Sequence, residues 1–481
     1  MYLGLDIGTS GVKAMLVDRD FAIVGVAHAP LTVSRPQPGW SEQAPEDWIG
    51  ACEAVVAELA RVHAAQLSGL EAIGLSGHMH GATLLDAADK PLRPCILWND
   101  GRSGPQCHKL EASADFRGIG GNIVMAGFTA PKLLWVAENE PDTFEKTAKV
   151  LLPKDYVRLW LTGEHVAEMS DAAGTLWLDV AGRRWSDELL AATGLTRAHM
   201  PALVEGSDVS GTLRAELAEK WGVPRVPVAG GGGDNAATAC GMGVVKPGTG
   251  FLSLGTSGVL FAATDTFAPN TAEAVHAFCH AVPKTWHQMG VILSATDSLT
   301  WLSEITGRTP PELAALLPEM ITAPSPVGFL PYLSGERTPH NDPDASGVFL
   351  GLRRDAGLPD LVQAVMEGVA MAFADCVRAL RQAGTAIEAA YAVGGGARSD
   401  QWLAILAAVT GLTLLKPESG DFGAAFGAAK LAAACASGDT SERVFAAPRV
   451  ISEITADEAL TQLYAKKYEA FRKTYVQLRA I

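Results

Sequence analysis

A repeated hairpin constrains the fold more than any other feature of the chain. Gly4-Leu5-Asp6-Ile7-Gly8-Thr9-Ser10-Gly11-Val12 returns as Leu252-Ser253-Leu254-Gly255-Thr256-Ser257-Gly258-Val259, 247 residues later in a chain of 481. Each copy is an apolar strand, a Gly-Thr-Ser-Gly turn and a second apolar strand. Recurrence at about half the chain length reads as two related domains, each presenting one turn to a shared cleft. The boundary is expected where Lys246-Pro247-Gly248-Thr249-Gly250 punctuates the chain, which gives domains 1–245 and 246–481.

The segments around the first hairpin support an α/β fold. Tyr2 to Leu5, Val12 to Val17, Phe21 to Ala29 and Ala72 to Ser76 read as strands. Glu46 to Ala65 has helical spacing, with Trp48, Cys52, Val55, Val56 and Leu59 on one side. Such a mixture predicts antiparallel hairpins inside a partly parallel sheet.

Composition narrows the function classes. The net charge is −15 and no basic cluster is visible, so nucleic acid is not an expected partner. Small anions remain open, because backbone amides hold them without net positive charge. The seven scattered cysteines include no C-x-x-C pair and read as reduced thiols, pointing to the cytoplasm. Asp6 interrupts the first apolar stretch, against a signal peptide, and the apolar segment Gly423 to Cys435 contains Lys430 and is too short to span a bilayer.

Four constellations carry chemistry. In the first hairpin, converging amides and the Thr9 and Ser10 hydroxyls suit phosphate. Asp6 would repel that phosphate unless a cation lay between, so it suits a water-bound Mg²⁺, and Lys13 offers a further charge. The second is Gly230-Gly231-Gly232-Gly233-Asp234-Asn235, following the strand Val226 to Val228 and opening a helix. A carboxylate there could be a simple helix cap. Four glycines, however, allow close approach of something bulky, and Asp234 is the best general-base candidate in the chain. The third, Gly394-Gly395-Gly396-Ala397-Arg398-Ser399, lies between the strand Ala390 to Val393 and a helix from about Ser399 to Thr410. It does not fit G-x-G-x-x-G, and reads either as a plain turn or as a platform for a flat nucleobase. The fourth is His78-Met79-His80, two histidines on an extended segment expected to point the same way. A polar substrate contact by one of them, a metal pair and a structural histidine are all open. His276 and His280 raise the same question.

Together these residues resemble the FGGY family of carbohydrate kinases, in the sugar kinase/actin/Hsp70 superfamily. The likeness runs along nearly the whole chain and includes two long signatures, Gly127 to Trp135 and Gly347 through Glu367. Met79-His80-Gly81-Ala82, Trp40-Ser41-Glu42-Gln43, Leu97 to Arg102, Leu152 to Tyr156, Ser170 to Thr175 and Tyr332 to His340 are most like the members that phosphorylate D-xylulose. The resemblance implies two related actin-like/ribonuclease H-like domains with a catalytic cleft between them, and MgATP-dependent phosphorylation of D-xylulose at O5 with release of ADP. It implies Asp234 as the base, with Met79, His80, Trp98 and Asn235 around the sugar and Asp6 serving Mg²⁺. Thr9, Ser10, Gly255 and Thr256 would hold phosphates, and Gly395, Gly396, Ala397 and Ser399 would border adenosine. His78 stands where a Gln is expected in this family. The resemblance leaves room for a homodimer. The rivals are a kinase for another ketose or polyol, such as a ribulokinase or glycerol kinase, a sugar-independent ATPase of the actin or chaperone type, and a sugar sensor without transfer.

Overall fold

The computed structural model describes residues 1–418 and 423–479. Tyr2–Ile7 (β1) and Gly11–Val17 (β2) form the first hairpin, with Ile7 opposite Val12. β2 pairs antiparallel with Ile23–Pro30 (β3). Phe21 was expected in that strand. It sits instead at φ 63 in a turn where the Asp18 carboxylate accepts the amides of Asp20 and Ala22, each at 2.9 Å. Pro45–Leu67 (α1) buries the predicted side, Trp48, Cys52, Val55, Val56 and Leu59. Ala72–Gly77 (β4) runs parallel to β1. Val209–Thr212 (β5) and Pro227–Ala229 (β6) complete the sheet order β5-β6-β4-β1-β2-β3. The glycine run is more than a turn, because Gly232–Gly233 (β7) adds a short strand parallel to β4 before the helix Asp234–Met242 (α2).

The second half repeats this plan. Gly250–Leu254 (β8) and Gly258–Thr264 (β9) form the second hairpin. They are followed by His276–Cys279 (β10), Trp286–Ile292 (β11) and the long helix Leu358–Gln382 (α3). Ala389–Val393 (β12) lies parallel to β8, and the helix Asp400–Thr410 (α4) and Thr413–Pro417 (β13) follow. After the helix Ala424–Ser437 (α5), Val450–Ile454 (β14) closes the order β10-β11-β9-β8-β12-β13-β14. In both sheets the hairpin's first strand has an antiparallel partner on one side and a parallel one on the other. The two halves are one mixed α/β architecture used twice.

The halves are joined by more than the chain. α5 belongs to the second half of the sequence but packs on β1, β4 and α2. The approach is backbone to backbone: a Cβ on Gly4 would lie 1.9 Å from the Ala425 carbonyl oxygen, and one on Gly427 would lie 1.7 Å from that of Ala237. Lys430 ties α5 to the end of α2 through the Gly241 carbonyl, 3.0 Å away. An apolar core containing Phe128, Leu176 and Trp177 from the segment between β4 and β5 continues into Phe251, Phe261 and Phe278 of the second sheet. Among the described residues no helix is long and apolar enough to cross a membrane.

Candidate active site

The strand register brings Asp6 and Asp234 together. β4 lies between β1 and β7, with Ser76 opposite both Asp6 and Gly232. Gly233 is opposite Gly77, so Asp234 follows directly beyond the carboxyl end of β4, beside the end of β1. Ligands of α/β sheets gather at such strand ends. Burial, and next the neighbouring Asp234, push the Asp6 carboxyl up to about 7. Burial pushes Asp234 up to about 6, against the pull of the Asn235 amide and side chain, which donate to its Oδ1 at 2.7 and 3.0 Å. Asp6 Oδ1 is buried without a hydrogen-bond partner.

The turn that presents Asp234 is held from behind by buried polar groups, of which Lys154, Asp155, Ser170 and Asp171 fall in the strings Leu152 to Tyr156 and Ser170 to Thr175 and Arg158 and Glu168 lie outside them. Arg158 donates to the carbonyls of Ala229 and Gly230 at 2.7 and 2.6 Å. Ser170 Oγ accepts the Gly233 amide at 3.0 Å and donates to Glu168. The Lys154 ammonium, fully buried, meets Asp155, Glu168 and Asp171 within 3.4 Å. These are buried charges with partners, the form in which buried charge is tolerated.

Met79 packs beneath the same turn, since a Cβ on Gly233 would fall 2.9 Å from Met79 Cγ. The next residue, His80, lines a cavity of about 290 Å³ together with Trp98, Gly101, Met125, Phe128, His276 and Arg337. His80 is not extended. Its φ is 70, and its carbonyl is pinned by Thr129 Oγ1 at 3.1 Å and by buried Lys132 at 2.8 Å. Its Nδ1 donates to the Gly174 carbonyl at 2.6 Å, which leaves Nε2 as an acceptor. Burial, reinforced by Lys132, holds the ring neutral, pushed down to about 3.

The expectation that His78 and His80 point the same way fails, because the strand ends at Gly77 and the backbone turns at His80. His78 instead packs edge-on to Trp48, with ring centroids 5.7 Å apart, and does not line the cavity. His280 is a structural histidine, with Nε2 3.0 Å from the Val244 carbonyl. Among the described residues no group of three or more His, Cys, Asp or Glu side chains could hold a metal ion.

Trp98 connects the cavity to the first hairpin, donating from Nε1 to Thr9 Oγ1 at 3.0 Å. Gln43 fixes the same turn through the Thr9 carbonyl at 2.7 Å and is itself held by Trp48. Ser10 is exposed at the tip, and Lys13 lies opposite Asp6 across the hairpin.

In the second half, the Gly255 and Thr256 carbonyls accept the amides of Thr296 and Ala295 at 2.9 and 2.8 Å. Gly394, at φ 92, passes so close to the hairpin that a Cβ there would meet the Leu254 oxygen at 2.6 Å. Beside it opens a cavity of about 520 Å³, lined by Gly395, Gly396 and Ser399 and walled by Thr296, Pro310, Met366 and Trp402. Ala397 is buried and does not reach the lining. Ser399 caps α4, its Oγ accepting the Trp402 amide at 3.2 Å. His276 is among the histidines that the sequence raises, and Arg337 and Met366 lie in the strings Tyr332 to His340 and Gly347 through Glu367, whereas Thr296 and Pro310 come from segments with no local signal of a site.

Comparison with known proteins gives a consistent picture. The model described as "FGGY family of carbohydrate kinases, N-terminal domain" matches residues 1–241, and its C-terminal counterpart matches residues 250–436. The chain is 48% identical over 482 aligned residues to a protein of Escherichia coli K12 named xylulose kinase, covering 99% of each. A crystal structure titled as a "xyloylose kinase" from Brucella ovis superposes with a TM-score of 0.98 at 56% identity, covering 100% of this chain and 99% of that one. A xylulose kinase structure from Rhodospirillum rubrum gives 0.92 at 32% identity with the same coverage.

Proposed function

This chain belongs to the FGGY family of carbohydrate kinases, and from that premise we propose that it transfers the γ-phosphoryl group of ATP to O5 of D-xylulose. The whole-length likeness to proteins named xylulose kinase supports the sugar. One observation carries the chemistry: Asp234, at the start of α2, stands beside Asp6 near the end of β1, and the Gly233 before it packs on Met79, the residue next to the cavity-lining His80.

In this reading the sugar enters the 290 Å³ cavity, where His80 Nε2 accepts a hydroxyl and Trp98 closes the side toward Thr9. Adenosine occupies the 520 Å³ cavity, and the turns at Gly8–Ser10 and Gly255–Thr256 receive the phosphates from opposite halves. Asp234 accepts the O5 proton as that oxygen attacks phosphorus in line. The transition state is loose, so a carboxylate is a sufficient base. A carboxyl raised to about 6 is still ionised at neutral pH and is a better proton acceptor than an ordinary aspartate.

The unpartnered Asp6 Oδ1 fits a Mg²⁺ site of the usual sparse kind, one or two carboxylates completed by water and phosphate oxygens. When bound, the ion would neutralise charge on the β- and γ-phosphate oxygens. Asp6 would hold it, with Asp234 near. We place the reaction in the cytoplasm, in keeping with seven free cysteines.

The Asp234→Asn variant tests the base. It should fold and bind D-xylulose and ATP with ordinary affinity, while turnover falls by about 10²- to 10⁴-fold in a coupled ADP-release assay. Turnover equal to the parent would remove Asp234 from this role.

A further inference from the structure

The sugar chemistry places a demand on the smaller cavity. A 2-ketopentose closes to its five-membered hemiketal by adding O5 to C2, so a free O5 hydroxyl exists only in the open chain. An enzyme that phosphorylates O5 must therefore hold the acyclic form. What distinguishes that form is the C2 carbonyl, a group that accepts hydrogen bonds and cannot donate them.

The donors and acceptors around the cavity divide unevenly. His80 gives its Nδ1 proton to Gly174 and offers an acceptor. Asn122 donates through Nδ2 to the Gly120 and Ala277 carbonyls at 2.9 and 3.0 Å, which leaves its Oδ1 to accept from His276 Nδ1 at 2.9 Å. His276 Nε2 is therefore a second acceptor, and it lies 3.5 Å from an Arg337 guanidinium nitrogen. Trp98 Nε1 is committed to Thr9. Asp100, also in the wall, is locked to Arg102 at 2.7 Å and to the Ser41 amide at 2.6 Å. Arg337 is thus the charged donor facing the cavity, and among the described residues the long contact to His276 is the one hydrogen bond its guanidinium makes. Among the described residues no carboxylate oxygen lies within 4 Å of it; its neighbour Glu336 accepts the amides of Arg337 and Leu293 through Oε1 at 2.8 and 3.0 Å, and its Oε2 is buried without a hydrogen-bond partner and forms no ion pair with Arg337. A guanidinium with five N–H donors, beside two imidazoles that offer only lone pairs, is poorly satisfied by the protein alone.

We propose that Arg337 is a specificity-determining residue that donates to the C2 carbonyl of an open-chain 2-ketopentose, with His276 and Asn122 as positioning residues that aim it. This rests on the reading of the site as an O5 kinase for D-xylulose. The carbonyl end and the reacting O5 are opposite ends of one chain, so a sugar with O5 at Asp234 extends past Met79 and His80 toward Arg337. Arg337 and His276 come from the second half, while His80 and Trp98 come from the first. The ketone would then be read across the cleft, by the half that also carries the nucleotide cavity.

The test compares D-xylulose with its two C2-reduced pentitols, xylitol and D-arabinitol, in the Arg337→Met and Arg337→Lys variants. Pentitols are scored by turnover or, where turnover is too slow, as competitive inhibitors. Losing a charged hydrogen bond should lower kcat/KM for D-xylulose by about 10- to 10²-fold in Arg337→Met. The pentitol constants should move by less than about threefold, because a C2 hydroxyl on a tetrahedral carbon does not hold its acceptor lone pairs in the plane that suits the guanidinium as the carbonyl does. Arg337→Lys should recover part of the ketose preference, and His276→Gln should erode it more weakly. Thermal melts and ATP affinity are measured on every variant, and Arg337→Lys carries the comparison if Arg337→Met does not fold. Equal losses on ketose and pentitols would overturn the proposal while leaving the kinase reading intact. Wild-type protein that phosphorylates no ketopentose would sink that reading instead.

Discussion

At the scale of single residues, the site is a problem of charge. Two carboxylates meet where β1 and β4 end side by side, and burial and the neighbouring Asp234 raise Asp6 to about 7 while burial raises Asp234 to about 6. Such neighbours titrate as a pair in two macroscopic steps. Both values lie above the ordinary carboxylate range, so the pair takes up protons, and loses its capacity as a base, when pH falls through 7 to 6. With both carboxylates required, the log of kcat/KM for the sugar should therefore be flat above about 7.5, drop by about one per pH unit between about 7 and 6, and approach a drop of about two per unit below that. A profile flat down to pH 5 would show that neither carboxylate has to be ionised. Asp6 and Asp234 were legible in the sequence because each sits in a glycine-framed turn that has no purely structural need for a carboxylate. His276 was legible only as one of a histidine pair with its role left open, and Arg337 only inside the string Tyr332 to His340, since nothing local distinguishes an arginine facing a cavity from one on the surface.

At the scale of elements, one plan is used twice, and each copy borders a cavity of its own. Gly8 and Gly255 occupy matching hairpin positions. Counting across the register, Ser76 lies opposite Asp6 and Val393 opposite Ser253. The turn after β4, Gly77 to His80, thus corresponds to the turn after β12, Gly394 to Ala397. In the first half that turn carries one side chain, that of His80, to the smaller cavity, and in the second Gly395 and Gly396 line the larger one. Ser253 stands where the first half has Asp6, which spares the second hairpin a carboxylate near phosphate. Thr256→Val should therefore raise the KM for ATP by about tenfold, the worth of one hydroxyl hydrogen bond, with the sugar KM within about twofold. A larger sugar effect would reverse the assignment of the halves. The hairpins and α1 were legible from periodicity, but the docking of α5 on the first sheet was not, since its Gly and Ala residues announce close packing without naming the partner. Gly427→Ala tests that contact. Helix propensity alone favours Ala by about 1 kcal/mol. A methyl group 1.7 Å from a backbone carbonyl cannot be relieved by a rotamer change, and overpacking of about 1–3 kcal/mol or more should win. The melting temperature should fall, and a rise would mean that α5 is not held this closely.

At the scale of the whole molecule, the two sheets present their strand ends to one cleft, and apolar packing between the halves limits how they can move. The duplication was legible because an eight-residue pattern returned at half the chain length, while the extent of packing between the halves depends on residues distant in sequence, such as Phe128 and Phe278. The sugar cavity draws on both halves, so a bound sugar bridges them and should favour the arrangement in which water is excluded from the γ-phosphate. The central claim is that ATP is consumed for transfer to one sugar. Its most direct measurement is ADP release over a panel of ketoses and polyols and without any acceptor, with the phosphorylated carbon of each product located by NMR. The expected result is the highest kcat/KM on D-xylulose, phosphate on O5, one ADP per sugar phosphate, and hydrolysis without sugar at least about 10²-fold slower than transfer. Preference for another ketose or for a polyol, phosphate on another carbon, or ADP release that ignores the sugar would contradict it.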